Sequence, residues 1–338
     1  MTTGVVITGV GAVTARFTGG AAAVGPFLAE PSPVFGTVAD AQLAALLGDG
    51  EARRLSRVCQ LAVAAGRLAL DDAGLSAGDD VGLVLGTEFG DLRSTVEFAD
   101  GYLALGPCGL SALIFPNTVM NTMAAATTIA TGAKALALTL NAPTVAGELA
   151  IVRAAAAIAS GRARAILAGG VDQIDPFLDA MLTELGADEE RRGDGAVVLV
   201  LESASSARRR GARVLGEILG TASGALAARP HGVGRSTRSS VVADALAAAG
   251  VPIGNLGAVF ASTNGDRGHD DWERRLLDAA LGAGHDRRSA LRMLLGAHAG
   301  AGALSVVAAA GAARASGRPS LVHGVGRGGS QVALIVGS

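Results

Sequence analysis

The chain has 338 residues and a formal net charge of −2, which gives no global field for nucleic acid. Half of it is apolar but only 3% is aromatic, so the core has to be built from Ala, Val, Leu and Ile. Mean hydropathy is +0.43, yet the most apolar run, Ala150 to Ser160, is interrupted by Arg153 and is far too short to span a bilayer. Met1 to Gly4 show no basic region leading into an apolar run, so no secretory leader and a cytoplasmic location are expected. High hydropathy without a span predicts a large buried core together with a large subunit interface.

Strand and helix signals alternate along the chain, which predicts an α/β fold. Val5 to Gly11 is a short buried strand ending in a glycine turn, and Arg53 to Ala73 carries apolar residues at helical spacing before Gly74. Val81 to Gly86 is a second strand, Thr118 to Ala130 a helix, and Ala135 to Leu140 a strand. That strand runs through Asn-Ala-Pro-Thr-Val-Ala-Gly (141–147) into a nearly all-apolar helix, Glu148 to Ser160, which should be buried on every side. Strands follow at Ala163 to Ala168, closed by Gly169-Gly170, and at Ala196 to Leu201. The remainder repeats this grammar. Arg213 to Leu219 is strand-like, Ser240 to Ala249 helical, Leu256 to Ala261 a strand and Asp271 to Leu281 a helix. A very apolar helix, Gly302 to Ala313, and strands at Ser320 to Gly324 and Val332 to Val336 close the chain. Two halves, 1–205 and 206–338, are expected to form one compact unit, with duplication as their possible origin.

Several familiar chemistries find no support. Gly9 and Gly11 lack the third glycine and the acidic residue of a dinucleotide site. No phosphate-binding loop ends in Gly-Lys-Ser or Gly-Lys-Thr, so no cofactor is expected. His231, His269, His285, His298 and His323 show no metal-ligand spacing. His269 is read as capping or solvated in a polar loop, and His298 as a structural histidine or a lone site residue at the start of a buried helix. Cys59 and Cys108 are too far apart and too few for a disulfide framework, and Cys59 should pack as a small apolar residue. Arg208 to Arg210 with Arg213 is read as a solvated turn rather than a docking patch. The Gly324-to-Ser330 run is a tight hairpin, or a loop closing over a pocket with Arg327 at its tip.

The sharpest feature is the strand–turn–helix at Thr144, the kind of elbow on which enzymes expose a nucleophile. Around it the order of segments resembles the β-ketoacyl synthases. Val-Val-Ile-Thr-Gly-Val-Gly-Ala-Val-Thr (5–14) is similar to that family's opening, and Phe115-Pro116-Asn117-Thr118-Val119-Met120-Asn121 to the helix before its nucleophile. Ser160-Gly161-Arg162-Ala163 leading to Ala168-Gly169-Gly170-Val171-Asp172, Gly193-Asp194-Gly195-Ala196, and Gly326-Arg327-Gly328-Gly329-Ser330-Gln331 resemble three further family segments. The family's usual pieces between Asp175 and Gly193 are missing. The resemblance implies the thiolase fold: two βαβ-rich halves in five αβαβα layers, usually dimeric.

The resemblance also implies a cysteine at the elbow that carries the acyl chain, with two assisting histidines. Matching Gly147 to the family's glycine places Thr144 at the cysteine. Ser262 stands at the first histidine. Arg292 stands at the family's lysine and Ala297 at the second histidine, although a slip of one residue would bring His298 in. Arg327 replaces the gating phenylalanine. The pattern resembles chain length factors, the inactive partners of ketosynthases in type II polyketide systems. It implies a heterodimer with an active ketosynthase, an acyl carrier protein that delivers a phosphopantetheine-bound chain, and a partner-facing helix on which Asn117, Met120, Asn121 and Ala124 share one face. Thr144 would then be a plug. Two alternatives remain: an acyltransferase or hydrolase built around Thr144 and His298, and a scaffold that binds carrier protein through Arg208 to Arg213.

Overall fold

The computed structural model describes residues 4–184, 190–229, 232–282, 287–288 and 291–338. His231 and His285 lie outside these residues. Among the described residues, eleven strands form one sheet: β1 (Val5–Thr14), β2 (Thr18–Gly19), β3 (Val81–Thr87), β4 (Ala137–Asn141), β5 (Ala165–Asp172), β6 (Gly195–Ser203), β7 (Gly216–Ala225), β8 (Val259–Phe260), β9 (Arg287–Arg288), β10 (Ser320–Val325) and β11 (Ser330–Gly337). Their spatial order is β4-β3-β5-β6-β1-β7-β11-β10-β8-β9, with β2 paired to β1 alone. The order is a repeat. Five strands run outward from β1 and five from β7, each set with the same sequence of neighbours and the same parallel and antiparallel pairings. The sets join where β1 pairs antiparallel with β7.

Strands β1, β3, β5 and β10 are buried along their whole length, as expected of apolar runs covered on both faces. Between the two strand sets lie two apolar helices, Ala146–Ala159 and Ala299–Ser316, which pack on each other and on strands of both sets. Outside them, Arg57–Ala73 and Thr122–Thr131 cover the first set, while Val241–Ala249 and Arg267–Leu281 cover the second. Helix, sheet, helix, sheet, helix gives the five layers that the resemblance implies. Separate apolar clusters fill the central layer and the two outer ones.

Several expected boundaries move. Gly9 and Gly11 do not end the first strand, which continues to Thr14. They face the Arg57–Ala73 helix, where a Cβ on Gly11 would run into the Ala65 carbonyl. Close packing, not a turn, explains these glycines. Gly169 and Gly170 likewise sit inside β5. The helix expected from Arg53 begins at Arg57, and the strand expected over Leu256–Ala261 shrinks to Val259–Phe260. The helix expected from Thr118 begins at Thr122, after a 3₁₀ turn over Phe115–Thr118. Asn117, Met120, Asn121 and Ala124 therefore share no helical face. Met120 and Asn121 are exposed, Asn117 half-buried and Ala124 buried.

The arginine cluster ends a short helix, Ala204–Arg209, rather than forming a free turn. Arg210 grips the buried Glu202 through Nε at 3.0 and 3.1 Å, and Arg213 pairs with Asp72 at 2.8 Å. Only Arg208 and Arg209 of the cluster lack this inward use.

Candidate active-site elbow

At the end of β4 the chain turns through Ala142, Pro143, Thr144 and Val145 into the central helix at Ala146. The Val145 amide donates to the Pro143 carbonyl at 2.6 Å, with Thr144 between them at φ 62°. That is the rare, strained form of γ-turn. Among the described residues no other non-glycine has positive φ, and a β-branched side chain is poorly suited to it. The elbow is thus retained as geometry. Neighbours hold it: Gly147 meets the Ala299 carbonyl and Gly326 the Pro143 carbonyl so closely that a Cβ on either glycine would collide.

Below the elbow, the fully buried Arg292 donates to the Thr144 carbonyl at 2.7 Å and to Glu148 Oε1 at 2.8 Å. Glu148 lies one helical turn from Thr144 and is also fully buried. Burial opposes the Arg292 charge, but Glu148 beside it more than compensates, so the guanidinium is held above its ordinary value. Arg292, the residue matched above to the family's lysine, therefore acts as a clamp.

Above the elbow lies a second charged group. Glu88, at the end of β3, faces Arg192 at 3.6 Å, Arg192 reaches Glu190 at 2.6 Å, and Asn264 donates to Glu190 at 2.6 Å. Burial pushes the Glu88 carboxyl up to about 7, against the pull of Arg192; the nearby Glu190 and Asp172 push further up, and the Thr144 backbone amide pulls it down. Asp172 ties these pieces together. It accepts from Thr87 Oγ1 at 2.7 Å, from the Glu88 amide at 2.9 Å and from the Ala299 amide at 2.8 Å. One carboxylate thereby fixes the ends of β3 and β5 against the start of the second central helix.

The positions matched to the family's histidines carry no base. Ser262 is fully buried; its amide donates to Glu273 at 3.0 Å and its hydroxyl accepts from the Val325 amide at 3.2 Å. Behind it, Glu273 pairs with His323 Nδ1 at 2.8 Å, and Gln331 meets His323 Nε2 at 2.8 Å. Burial disfavours the Glu273 charge, but His323, His269 and the Ser262 amide together outweigh it and hold the carboxyl below its usual range. Ala297 is buried in a β-bridge with Arg192. The His298 ring lies against Gly195, and neither nitrogen has a hydrogen-bond partner. Burial, reinforced by the Arg292 charge, pushes it down to about 3.

His269 is neither capping nor solvated. It is buried inside the Arg267–Leu281 helix, with Nε2 2.6 Å from the Val325 carbonyl and Nδ1 3.2 Å from Asp270. Asp266 caps that helix instead, and Arg327 at the tip of the glycine loop pairs with it. Cys59 is buried among apolar side chains and burial raises its thiol; Cys108 is exposed. Among the described residues, no cluster of three or more His, Cys, Asp or Glu side chains is placed to hold a metal ion, and no helix is long and apolar enough to cross a membrane.

Glu88, Arg192, Glu190 and Glu148 were not anticipated from the sequence. The available signal was chemical. Glu148 is the lone acid in an apolar helix, and Glu88 interrupts a glycine turn directly after a buried strand. Either should have prompted a search for a buried cation.

The β-ketoacyl synthase N-terminal domain matches residues 37–207, and this chain belongs to the β-ketoacyl synthase family. It is 28% identical over 209 residues to 3-oxoacyl-[acyl-carrier-protein] synthase 2 of Vibrio harveyi, covering 55% of this chain and 50% of that protein. The corresponding Synechocystis protein is 29% identical over 211 residues, covering 55% and 51%. The chain thus spans about half the length of these relatives. Among solved structures, the ishigamide ketosynthase/chain length factor superposes with a TM-score of 0.87 at 23% identity, covering 100% of both chains. A type II polyketide ketosynthase in complex with its acyl-carrier protein gives 0.84 at 20% identity, again covering 100% of both. At these identities the likeness establishes the thiolase-type ketosynthase fold.

Proposed function

We propose that this chain is the non-catalytic, chain-length-factor-like subunit of a heterodimeric ketosynthase, and that it shapes an acyl tunnel for an active partner. The observation that carries this reading is the elbow: Thr144 keeps the strained turn while Arg292, Ser262 and Ala297 stand where the family's reactive assistants would be. An unactivated threonine needs a neighbouring base. Arg292 is a cation, the Ser262 hydroxyl is engaged, and His298 at about 3 stays neutral without a partner. Glu88, whose carboxyl interacts with the Thr144 backbone amide, is paired with Arg192 and so is engaged as well.

The surface supports pairing. Strand β4 is a sheet edge whose residues are largely uncovered, including Leu138. Leu103, Leu113 and Ile129 are also exposed, at 79%, 90% and 84%. Exposed apolar side chains and an open strand edge fit a protein partner. The partner would contribute the cysteine and histidines, and an acyl carrier protein would deliver a polyketide or aryl polyene chain.

Co-expression with an intact ketosynthase should give a 1:1 complex, whereas the chain alone should aggregate or self-associate. A well-behaved monomer that ignores the ketosynthase would overturn the proposal. Incubation with acyl or malonyl carrier protein separates the enzymatic alternative: turnover abolished by Thr144→Ala would favour a site built around Thr144 and His298.

A further inference from the structure

A basic cavity is assembled from segments distant in sequence. It has a volume of about 960 Å³ and opens between the Arg267–Leu281 helix and the coil that follows β7. Arg229 and Arg235 line it from the coil and Arg275 from the helix, while Ala227, Ala228 and Val233 supply apolar wall. All three arginines are exposed, and among the described residues none has a hydrogen bond or ion pair through its guanidinium. Among those residues no carboxylate lines the cavity. Asp271, one turn before Arg275, pairs with Arg274 at 2.8 Å instead. The wall that carries these charges is anchored. The Leu226 amide donates to the Gly329 carbonyl at 2.8 Å, and the Gly328 amide to the Gly232 carbonyl at 2.9 Å. Gly234 lies against the buried Trp272, where a Cβ would come within 2.3 Å of the indole, and Trp272 Nε1 donates to the Ser236 carbonyl at 3.0 Å. Arg235 is thus held between two anchored neighbours. Three guanidiniums stand round one concavity without counter-charge, and an anion would relieve their repulsion.

We propose that this cavity binds a compact polyphosphate anion, a di- or triphosphate group either free or at the end of a nucleotide. Guanidinium groups pair bidentately with phosphoryl oxygens, so three of them match a multiply charged group. A singly charged phosphodiester, like that of a carrier-protein arm, would leave two of them unmatched. The volume lies within the range of small-molecule sites, which favours a whole ligand seated in the concavity over a flat protein face. No exposed aromatic ring lines it, because Trp272 is fully buried. A nucleobase would therefore gain only contact with Ala227, Ala228 and Val233, and the phosphates carry the affinity.

The test is calorimetric titration of the full chain, in its ketosynthase complex where one forms, with inorganic triphosphate, ATP and dimethyl phosphate at neutral pH. Saturable binding of triphosphate and ATP is expected, with dimethyl phosphate at least about tenfold weaker. Tighter ATP would identify a nucleotide as the preferred form; tighter triphosphate would identify the inorganic ion. Raising the ionic strength should weaken both, because the site is open to solvent. Arg235→Gln and Arg275→Gln should each weaken triphosphate about fivefold or more, and as exposed substitutions both should fold. Arg208→Gln, exposed on another helix, should leave the affinity unchanged. No saturable heat from triphosphate or ATP, dimethyl phosphate bound as tightly as triphosphate, or full affinity in both Gln variants would each overturn the proposal. An acidic protein that docks on these arginines while the small anions do not would overturn it too. None of these readouts depends on the elbow or on pairing, so failure here leaves the heterodimer reading to its own experiment.

Discussion

Thr144 holds a backbone conformation that costs a β-branched residue on the order of 1–2 kcal/mol. Glycine would remove that strain at about 0.5–1 kcal/mol of added chain entropy. Thr144→Gly should therefore leave the chain as stable or slightly more stable in thermal unfolding. A fall of several degrees would show that the side chain's contacts outweigh its strain. The Arg292–Glu148 pair behaves oppositely, because both partners are fully buried. Arg292→Met strands a carboxylate and should cost about 3–5 kcal/mol. Adding Glu148→Gln should recover much of that, and a strictly additive double-mutant cycle would refute direct coupling. Sequence matching found Thr144 and Arg292 but missed Glu148 and Glu88. Spacing along the chain does not report that residues 144 and 148 meet residue 292, or that residue 88 meets residue 192.

Among the elements, the Leu92–Leu105 helix and the stretch after it were not read from the sequence. Tyr102, Leu103, Leu105 and Leu113 are exposed, so apolar residues mark the outside here rather than the core. Replacing Leu103 and Leu113 with Glu should leave the thermal stability of this chain within about 0.5 kcal/mol of the native value, since exposed substitutions seldom cost more. It should abolish co-purification with a ketosynthase. Retained pairing would place the interface elsewhere. By contrast, the two central helices were legible, because Ala146–Ala159 and Ala299–Ser316 are largely apolar and buried, although Arg153 and Ala156 are exposed, so the first is not buried on every side.

For the whole molecule, the buried His298 and the half-buried Glu88 contribute opposing dependences of stability on pH. The folded His298 sits at about 3 against an ordinary 6.5, so the unfolded chain takes up the proton first. Its contribution is complete above pH 6.5 and is lost toward pH 3, by up to ~1.4 kcal/mol per pH unit. Glu88 rises from 4.5 to about 7, so its contribution is complete below pH 4.5 and is lost as pH rises through 7. Between pH 4.5 and 6.5 the two slopes offset each other. Glu88→Gln removes one of them, and denaturant unfolding of that variant should show stability falling on acidification across this window. A profile parallel to the native one would refute the assignment.

The residue order by itself determined the α/β class and the elbow at Thr144, and its resemblance to a family implied the layered fold. Apolar periodicity and a few short motifs are local properties, and they survive in one dimension. Only the tertiary structure decided that Gly9 and Gly11 receive a helix, that His269 is buried, and that Arg292 clamps Thr144. Each of these depends on which distant segment arrives opposite, and long-range packing fixes that, not the neighbours in sequence.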